Sequence, residues 1–237
     1  MSRTGHKDAD GQLARLVDLF FEVGTLRHTP RSGYIFLGTG SEDVAQHSFR
    51  VAFMSFVLAK MAGGDPYRAA LLGLTHDLHE ARVSDLNYMN QRYVKTEHLK
   101  AQQDALEGTG LEEELMAAYR EFEARESIEA RAAKDADQLD LLFNLKVELD
   151  KGNQFARDWI DSALGRLKTK EAQALASEML ATDHNRWWFG RVDRRWWVER
   201  CLPEERKKSP RTANIGRAGG RRRVRPLSGF RLKVKKD

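Results

Sequence analysis

This sequence is short of the features that cross-link, anchor or export a chain. Cys201 is the only cysteine in 237 residues, so an internal disulfide framework is ruled out. No run of about 18 apolar residues occurs. Charged residues make up 32% of the chain, and a membrane span is excluded. Met1 to Asp8 (MSRTGHKD) lack the apolar segment of a signal peptide. The expected location is therefore cytoplasmic. Also missing are internal repeats, strand-like alternation of apolar and polar residues, and a glycine-rich phosphate loop. Helical periodicity dominates what remains, and the expected fold class is all-α.

Charge is plentiful but unevenly placed. From Pro203 onward the chain holds 13 Lys and Arg against three acids, a net +10. The preceding 202 residues hold 27 basic and 32 acidic residues, a net −5. A mildly acidic body and a strongly basic tail are expected to do different jobs. The tail has few apolar residues and a Gly219-Gly-Arg-Arg-Arg run, and reads as flexible. Such a polycation is expected to bind nucleic acid weakly and without sequence preference.

Taken in order, Leu13, Leu16, Val17, Phe20, Phe21 and Val23 form the apolar face of a first helix over residues 11–23. Residues 26–40 read as a loop. Within it, Arg31 and Tyr34 are either an ordinary turn or a clamp for a phosphate and a ring. Ser41 is expected to cap a helix reaching about Met61, apolar on nearly every side. Its stripe Val44, His47, Val51, Met54, Leu58 has one polar member. That His47 is either a core histidine bonded to a carbonyl or a buried metal ligand.

Asp65-Pro66 starts the next helix, which is expected to carry Ala69, Leu72, Gly73, His76 and Glu80 along one face. His79 reads as an outer or exposed residue. Leu86 to Val94 is an aromatic segment able to wall a pocket. Charged helices follow over 95–107 and 111–125. The helix from Ser127 to about Lys151 has one carboxylate, Asp137, where a core residue is expected. A carboxylate so buried needs a cation, a strong donor or a proton. Asp135 and Asp140 fall on other faces and are expected to stay in water. Two more helices span 153–167 and 169–181. Beyond them, Trp187, Trp188, Trp196 and Trp197 alternate with arginines. These tryptophans either stack on bases, lie at a membrane surface, or pack on the bundle or a second subunit.

His47, His76, Asp77 and Asp137 thus supply two imidazoles and two carboxylates from three helices. Nitrogen and oxygen donors without thiolate suit one Mn²⁺, Fe²⁺, Co²⁺, Ni²⁺ or Zn²⁺ per subunit. An ion so held acidifies water for attack on phosphorus or carbon.

The order H…HD…D on an all-α core resembles the HD-domain metal-dependent phosphohydrolases. Three segments resemble the 5′-deoxynucleotidase branch: Val44-Ala-Gln-His47-Ser, His76-Asp-Leu-His-Glu80 with Ser84-Asp85-Leu, and Lys134-Asp-Ala-Asp137-Gln-Leu. The likeness runs over residues 10 to 184. It implies an HD-domain helical bundle, with His47, His76, Asp77 and Asp137 on the metal and Glu80 handling protons. It also implies Arg31, with Tyr34, on the nucleotide and Asp85 on its sugar. Gln46 stands where the branch commonly has an acid, and Tyr34 lies three residues after Arg31.

The expected organisation is a core over 1–184, a Trp/Arg-rich segment over 185–202 and a disordered basic tail over 203–237. The expected activity is metal-dependent hydrolysis of nucleoside 5′-monophosphates by a homodimer. A phosphodiesterase or nucleotide pyrophosphohydrolase on the same site is second. A nucleic-acid-binding protein working through its tail is the reading from another class.

Overall fold

The computed structural model describes residues 4–190, with side chains from residue 11 onward. The fold is all-α, as expected. Among the described residues the sole extended pairing is an isolated bridge between Pro30 and Asp43. Residues 191–202 of the Trp/Arg-rich segment and the whole basic tail lie outside the described residues. No described helix is long and apolar enough to cross a membrane.

Helix α1 spans Thr4–Gly24, and a 3₁₀ turn (Thr25–His28) and the short α2 (Tyr34–Leu37) follow in the stretch expected to be loop. Helix α3 (Val44–Ala62) is capped by Asp43, whose carboxylate accepts from Gln46 N at 2.8 Å. Ser41 is therefore not the cap. The bonds Arg31 N to Glu42 O (2.9 Å) and Val44 N to Thr29 O (3.0 Å) hold residues 42–44 against the preceding strand-like segment. The helix cannot begin before that pairing ends. Gly63 closes α3 in the left-handed conformation, and Asp65 with Pro66 opens α4 (Pro66–Thr75) as expected.

After α4 come two short helices, α5 (Glu80–Val83) and α6 (Tyr88–Gln91), then α7 (His98–Leu106) and α8 (Glu112–Ala124). The long α9 (Ile128–Asp150) is capped by Ser127, whose Oγ accepts from Ala130 N at 3.0 Å. Helices α10 (Ala156–Leu164) and α11 (Lys170–Ala181) complete the bundle, and a π-helical turn (Arg186–Gly190) ends the described part.

Helices α3, α4 and α9 pack on one another at the centre. Val51 and Leu58 of α3 meet Ala132, Ala136, Leu139 and Leu142 of α9, with Ile160 and Ala176 behind them. Each large aliphatic side chain so buried contributes roughly 1.5–3 kcal/mol. The α3–α4 crossing is close because of Gly73. A Cβ there would stand 3.1 Å from Cα of Ala52 and 2.5 Å from Oγ of Ser55. Small residues thus let the two histidine-bearing helices approach.

Two expectations about apolar helix faces fail. The apolar face of α1 points to solvent: Phe20 is 68% and Phe21 75% exposed, and Leu13 and Val17 are exposed as well. The helix is held instead through Leu19, which joins Leu106 and Met116, and through Arg15 and Gln12, which bond carbonyls of Glu107 and Thr109. Likewise α3 is not buried all round, because Phe49 and Phe53 face solvent.

Candidate metal centre

The stretch 73–85 does not run as one helix. Thr75 Oγ1 donates to Leu71 O (2.8 Å), and His76 Nδ1 engages Gly73 O (2.8 Å). Side chains that take helix carbonyls compete with the regular ladder. Beyond Thr75 the bonds shorten to three-residue spacing, Leu78 N to Thr75 O and Glu80 N to Asp77 O. His76 and Asp77 therefore sit on a tight turn between α4 and α5, and Glu80 opens α5, so the three do not lie along one helical face. Ser84 then adopts a positive φ of 62°, uncommon for a residue with a Cβ. That bend sends Asp85 back, and its carboxylate accepts from Ser32 N at 2.9 Å.

At the centre, the rings of His47 and His76 stand 5.3 Å apart. Both are buried. Nε2 of His76 lies 3.0 Å from Oδ2 of Asp77. Nε2 of His47 lies 3.6 Å from that same oxygen and 3.4 Å from Oδ1 of Asp137. Neither Nε2 has a hydrogen bond of acceptable direction, and both are shut off from water.

The other ring nitrogens decide what these atoms offer. A carbonyl only accepts, so His76 Nδ1 must donate to Gly73 O, and the neutral ring presents a lone pair at Nε2. His47 Nδ1 bonds Oδ2 of Asp140 at 2.8 Å, which fixes its ring in the same sense. Two lone pairs and two carboxylates converging on one buried point fit a divalent cation. The donor atoms of His47, His76 and Asp137 all lie within 4.8 Å of one another.

The electrostatics agree. Burial and Arg31 work to lower the His47 pKa, but Asp137 and Asp140 win and push it up to about 10, so without an ion Nε2 holds a proton whose place a divalent cation would take. Burial favours neutral acids at Asp77 and Asp137. Nearby His76, His47 and Arg31 instead hold Asp77 well below the usual carboxylate range, and His47 and His76 do the same for Asp137. Such a cluster demands positive charge. Glu80 differs: burial, then repulsion from Asp77 and Asp85, pushes its carboxyl up to about 9.

Asp77, Asp137 and Glu80 line one end of a cavity of about 260 Å³, whose walls also include Arg31, Tyr34, Asp85, Tyr88 and Trp159. The structure thus brings every sequence-expected site residue to one place. Arg31 lies between two acids, with Nη1 3.5 Å from Asp77 and Nε 3.8 Å from Asp85. Tyr34 is admitted by Gly40, where φ is +78° and a Cβ would stand 2.9 Å from the Tyr34 ring. His79 is not exposed: it is buried against His98 and Tyr119, and burial lowers its pKa to about 4.

The sequence model of a family described as HD domain matches residues 23–179. The chain belongs to the HD-domain family. Its relatives include the 5′-deoxynucleotidase HDDC2 of Bos taurus, 29% identical over 167 residues, covering 67% of this chain and 81% of that protein. A 5′-deoxynucleotidase of Vibrio vulnificus is 32% identical over 151 residues, 55% of this chain and 76% of the relative. Among solved structures, a predicted metal-dependent phosphohydrolase from Magnetospirillum magnetotacticum superposes with TM-score 0.58 at 25% identity, covering 72% of this chain and 94% of that one. The resemblance to HD-domain phosphohydrolases, and to their 5′-deoxynucleotidase branch, is borne out.

The HD-domain core also contains residues that sequence reasoning set aside. Asp140 is fully buried, not solvated. It is braced by Arg50 Nε, and Arg50 also bonds Glu42 (3.1 Å) and Asn144 (2.6 Å). Burial favours a neutral Asp140, but His47 and Arg50 keep it below its ordinary value. Asp135 is buried as well: it accepts from Lys168 N (3.0 Å), Thr169 N (2.6 Å) and Thr169 Oγ1 (2.7 Å), and so pins the start of α11. The spacing held a signal for the first of these. Asp140 follows Asp137, and Arg50 follows His47, by three residues.

Proposed function

We propose that this chain is a metal-dependent phosphomonoesterase that hydrolyses nucleoside 5′-monophosphates. The observation that carries the reading is the pair of buried, inward Nε2 atoms without a hydrogen-bond partner, beside Asp77 and Asp137 on a cavity that also holds Arg31, Tyr34, Tyr88 and Trp159. The names of the relatives support the substrate class.

In this reading His47, His76, Asp77 and Asp137 hold one divalent transition ion. When bound, the ion supplies Lewis acidity, acidifying water and drawing charge from phosphoryl oxygens. Arg31 releases Asp77 and Asp85 to pair with the phosphate, a charge-assisted contact. Asp85, with its backbone turned by Ser84, is then free to accept from a sugar hydroxyl. Tyr34 and Trp159 offer faces to the base. Glu80 holds the proton: its raised pKa suits donation to the leaving sugar oxygen, and a nearby cation lowers that pKa toward the range of a base.

The test is phosphate release from a panel of ribo- and deoxyribonucleoside 5′-monophosphates after loading with Mn²⁺, Co²⁺, Fe²⁺, Ni²⁺ or Zn²⁺. Release from 5′- but not 3′-monophosphates supports the reading. No release with any metal, from folded protein, overturns it.

We propose also that the chain forms a homodimer, read out by sedimentation, and that its basic tail over 203–237 binds polyanions apart from the active site. A chain ending at Pro203 should keep hydrolysing mononucleotides while its retention on a polyanion column drops.

A further inference from the structure

A second cavity, of about 400 Å³, adjoins the candidate centre and shares Asp137 and Gln138 with the first. Five cations line it: Arg125 at the end of α8, Arg131 and Lys134 at the start of α9, and Arg166 and Lys168 after α10. Three separate elements therefore deliver positive charge to one concavity. Lys134 is committed, since it pairs with Glu123 at 2.9 Å over the ring of Phe122. The other four have no carboxylate partner among the described residues. Arg131 donates to a backbone carbonyl of Glu126, and Arg166 to Gln138 Oε1 and Tyr88 Oη. The cavity's own Asp135 spends its oxygens on the backbone N–H groups of Lys168 and Thr169 and on the Thr169 hydroxyl.

We infer that this cavity binds the phosphate chain of an oligophosphate anion. Four unpaired cations match the charge of a diphosphate or triphosphate better than that of one phosphate group. A stacking site for nucleic acid needs aromatic platforms, and no aromatic side chain lines this cavity. Its place also matters. Arg166 links Gln138, on the shared wall, to Tyr88, on the wall of the aromatic cavity, so one ligand can span both. A nucleoside di- or triphosphate then puts its nucleoside near Tyr34 and Trp159 and its outer phosphates among Arg125, Arg131 and Lys168. This nucleotide form of the inference rests on the substrate class proposed above; binding of a free inorganic oligophosphate does not.

The experiment is hydrogen exchange by mass spectrometry on the full chain, free of divalent ions because oligophosphates chelate them. Inorganic tripolyphosphate, orthophosphate, a nucleoside triphosphate and a single-stranded oligonucleotide are compared at fixed ionic strength. Tripolyphosphate should protect the segments around 122–134 and 164–170, and orthophosphate at equal concentration should not. Further protection around 31–34 and 85–88 with the nucleoside triphosphate identifies a nucleotide as the ligand; its absence leaves free oligophosphate. Calorimetry adds a second readout. Arg125→Ala, Arg131→Ala and Lys168→Ala combined should weaken tripolyphosphate by about 10²-fold, the loss expected for charge-assisted bonds to phosphate. All three side chains are exposed, so the variant should fold. Protection confined to residues 203–237, equal affinity of the parent and triple variant, or protection of the cavity by the oligonucleotide alone would each overturn the inference. No readout depends on turnover, so a chain that hydrolyses nothing can still pass.

Discussion

Asp140 Oδ2 stands 2.8 Å from Nδ1 of His47, and neither side chain is exposed to solvent. The carboxylate keeps a proton on Nδ1 of His47 and aims Nε2 at Asp77 and Asp137. Arg50 and Asn144 in turn fix the carboxylate, and Glu42 accepts from both of them. Asp140→Asn keeps the shape and removes the charge. It should weaken divalent-metal affinity about 10- to 100-fold, the usual cost of losing a partner behind a ligating histidine. Calorimetric titration of the metal-free protein measures it; affinity equal to the parent's would show that His47 is oriented without Asp140.

Chelation should abolish phosphate release, and adding back a divalent transition ion should restore it. Asp77→Ala should lose the ion and stay folded, because it removes one of several crowded carboxylates. Elemental analysis of His76→Ala and Asp77→Ala decides the matter. Stoichiometric metal retained in both variants would sink the assigned donor set.

Glu80→Gln preserves size and hydrogen bonding but carries no titrating proton. Metal content should hold while turnover falls about 10²- to 10⁴-fold. Normal turnover in this variant means that proton transfer belongs to another group.

The close crossing at Gly73 couples packing to chemistry. Gly73→Ala places a methyl group against Ala52 and Ser55 and should destabilise the fold by roughly 1–3 kcal/mol, as overpacking does. Because α3 carries His47 and the end of α4 carries His76, the same change should weaken metal binding. Thermal melting and metal titration, run together, check both effects. A variant that melts and binds like the parent contradicts the crossing.

Asp150 ends α9 and ties it to the last described turn, accepting from Lys146 Nζ and from His184 N at 3.2 Å. Burial works to raise its pKa, but Lys146 and His184 lower it below the ordinary value. A depressed folded-state pKa stabilises above the unfolded value of about 3.9. That contribution disappears as pH falls through the lower, folded value. Asp150→Asn should therefore be less stable than the parent at neutral pH, and the gap should close in acid. Denaturant titrations from pH 7 to pH 2 follow it, and a gap that stays constant across the range would sink the linkage.

Much of the site was legible from residue types alone. A lone histidine in an apolar stripe, a histidine-aspartate pair and a lone aspartate in another stripe each break a pattern that a helix core enforces, and a break of that kind is a local property of sequence. The helix start at Asp65-Pro66 was equally local, as was the all-α class. Three things were not. The turn at His76 to His79 accompanies side-chain bonds from Thr75 and His76 to carbonyls of their own helix, a competition with the regular ladder that residue spacing does not reveal. The burial of Asp140 depends on Arg50 reaching it from another helix, so helical spacing alone assigned it to water. The exposure of Phe20 and Phe21 depends on which face of α1 meets Leu106 and Met116. Residue type and spacing determine which side chains must avoid water or seek a charge. Tertiary structure decides which neighbour meets each need, because those neighbours lie up to a hundred residues away along the chain.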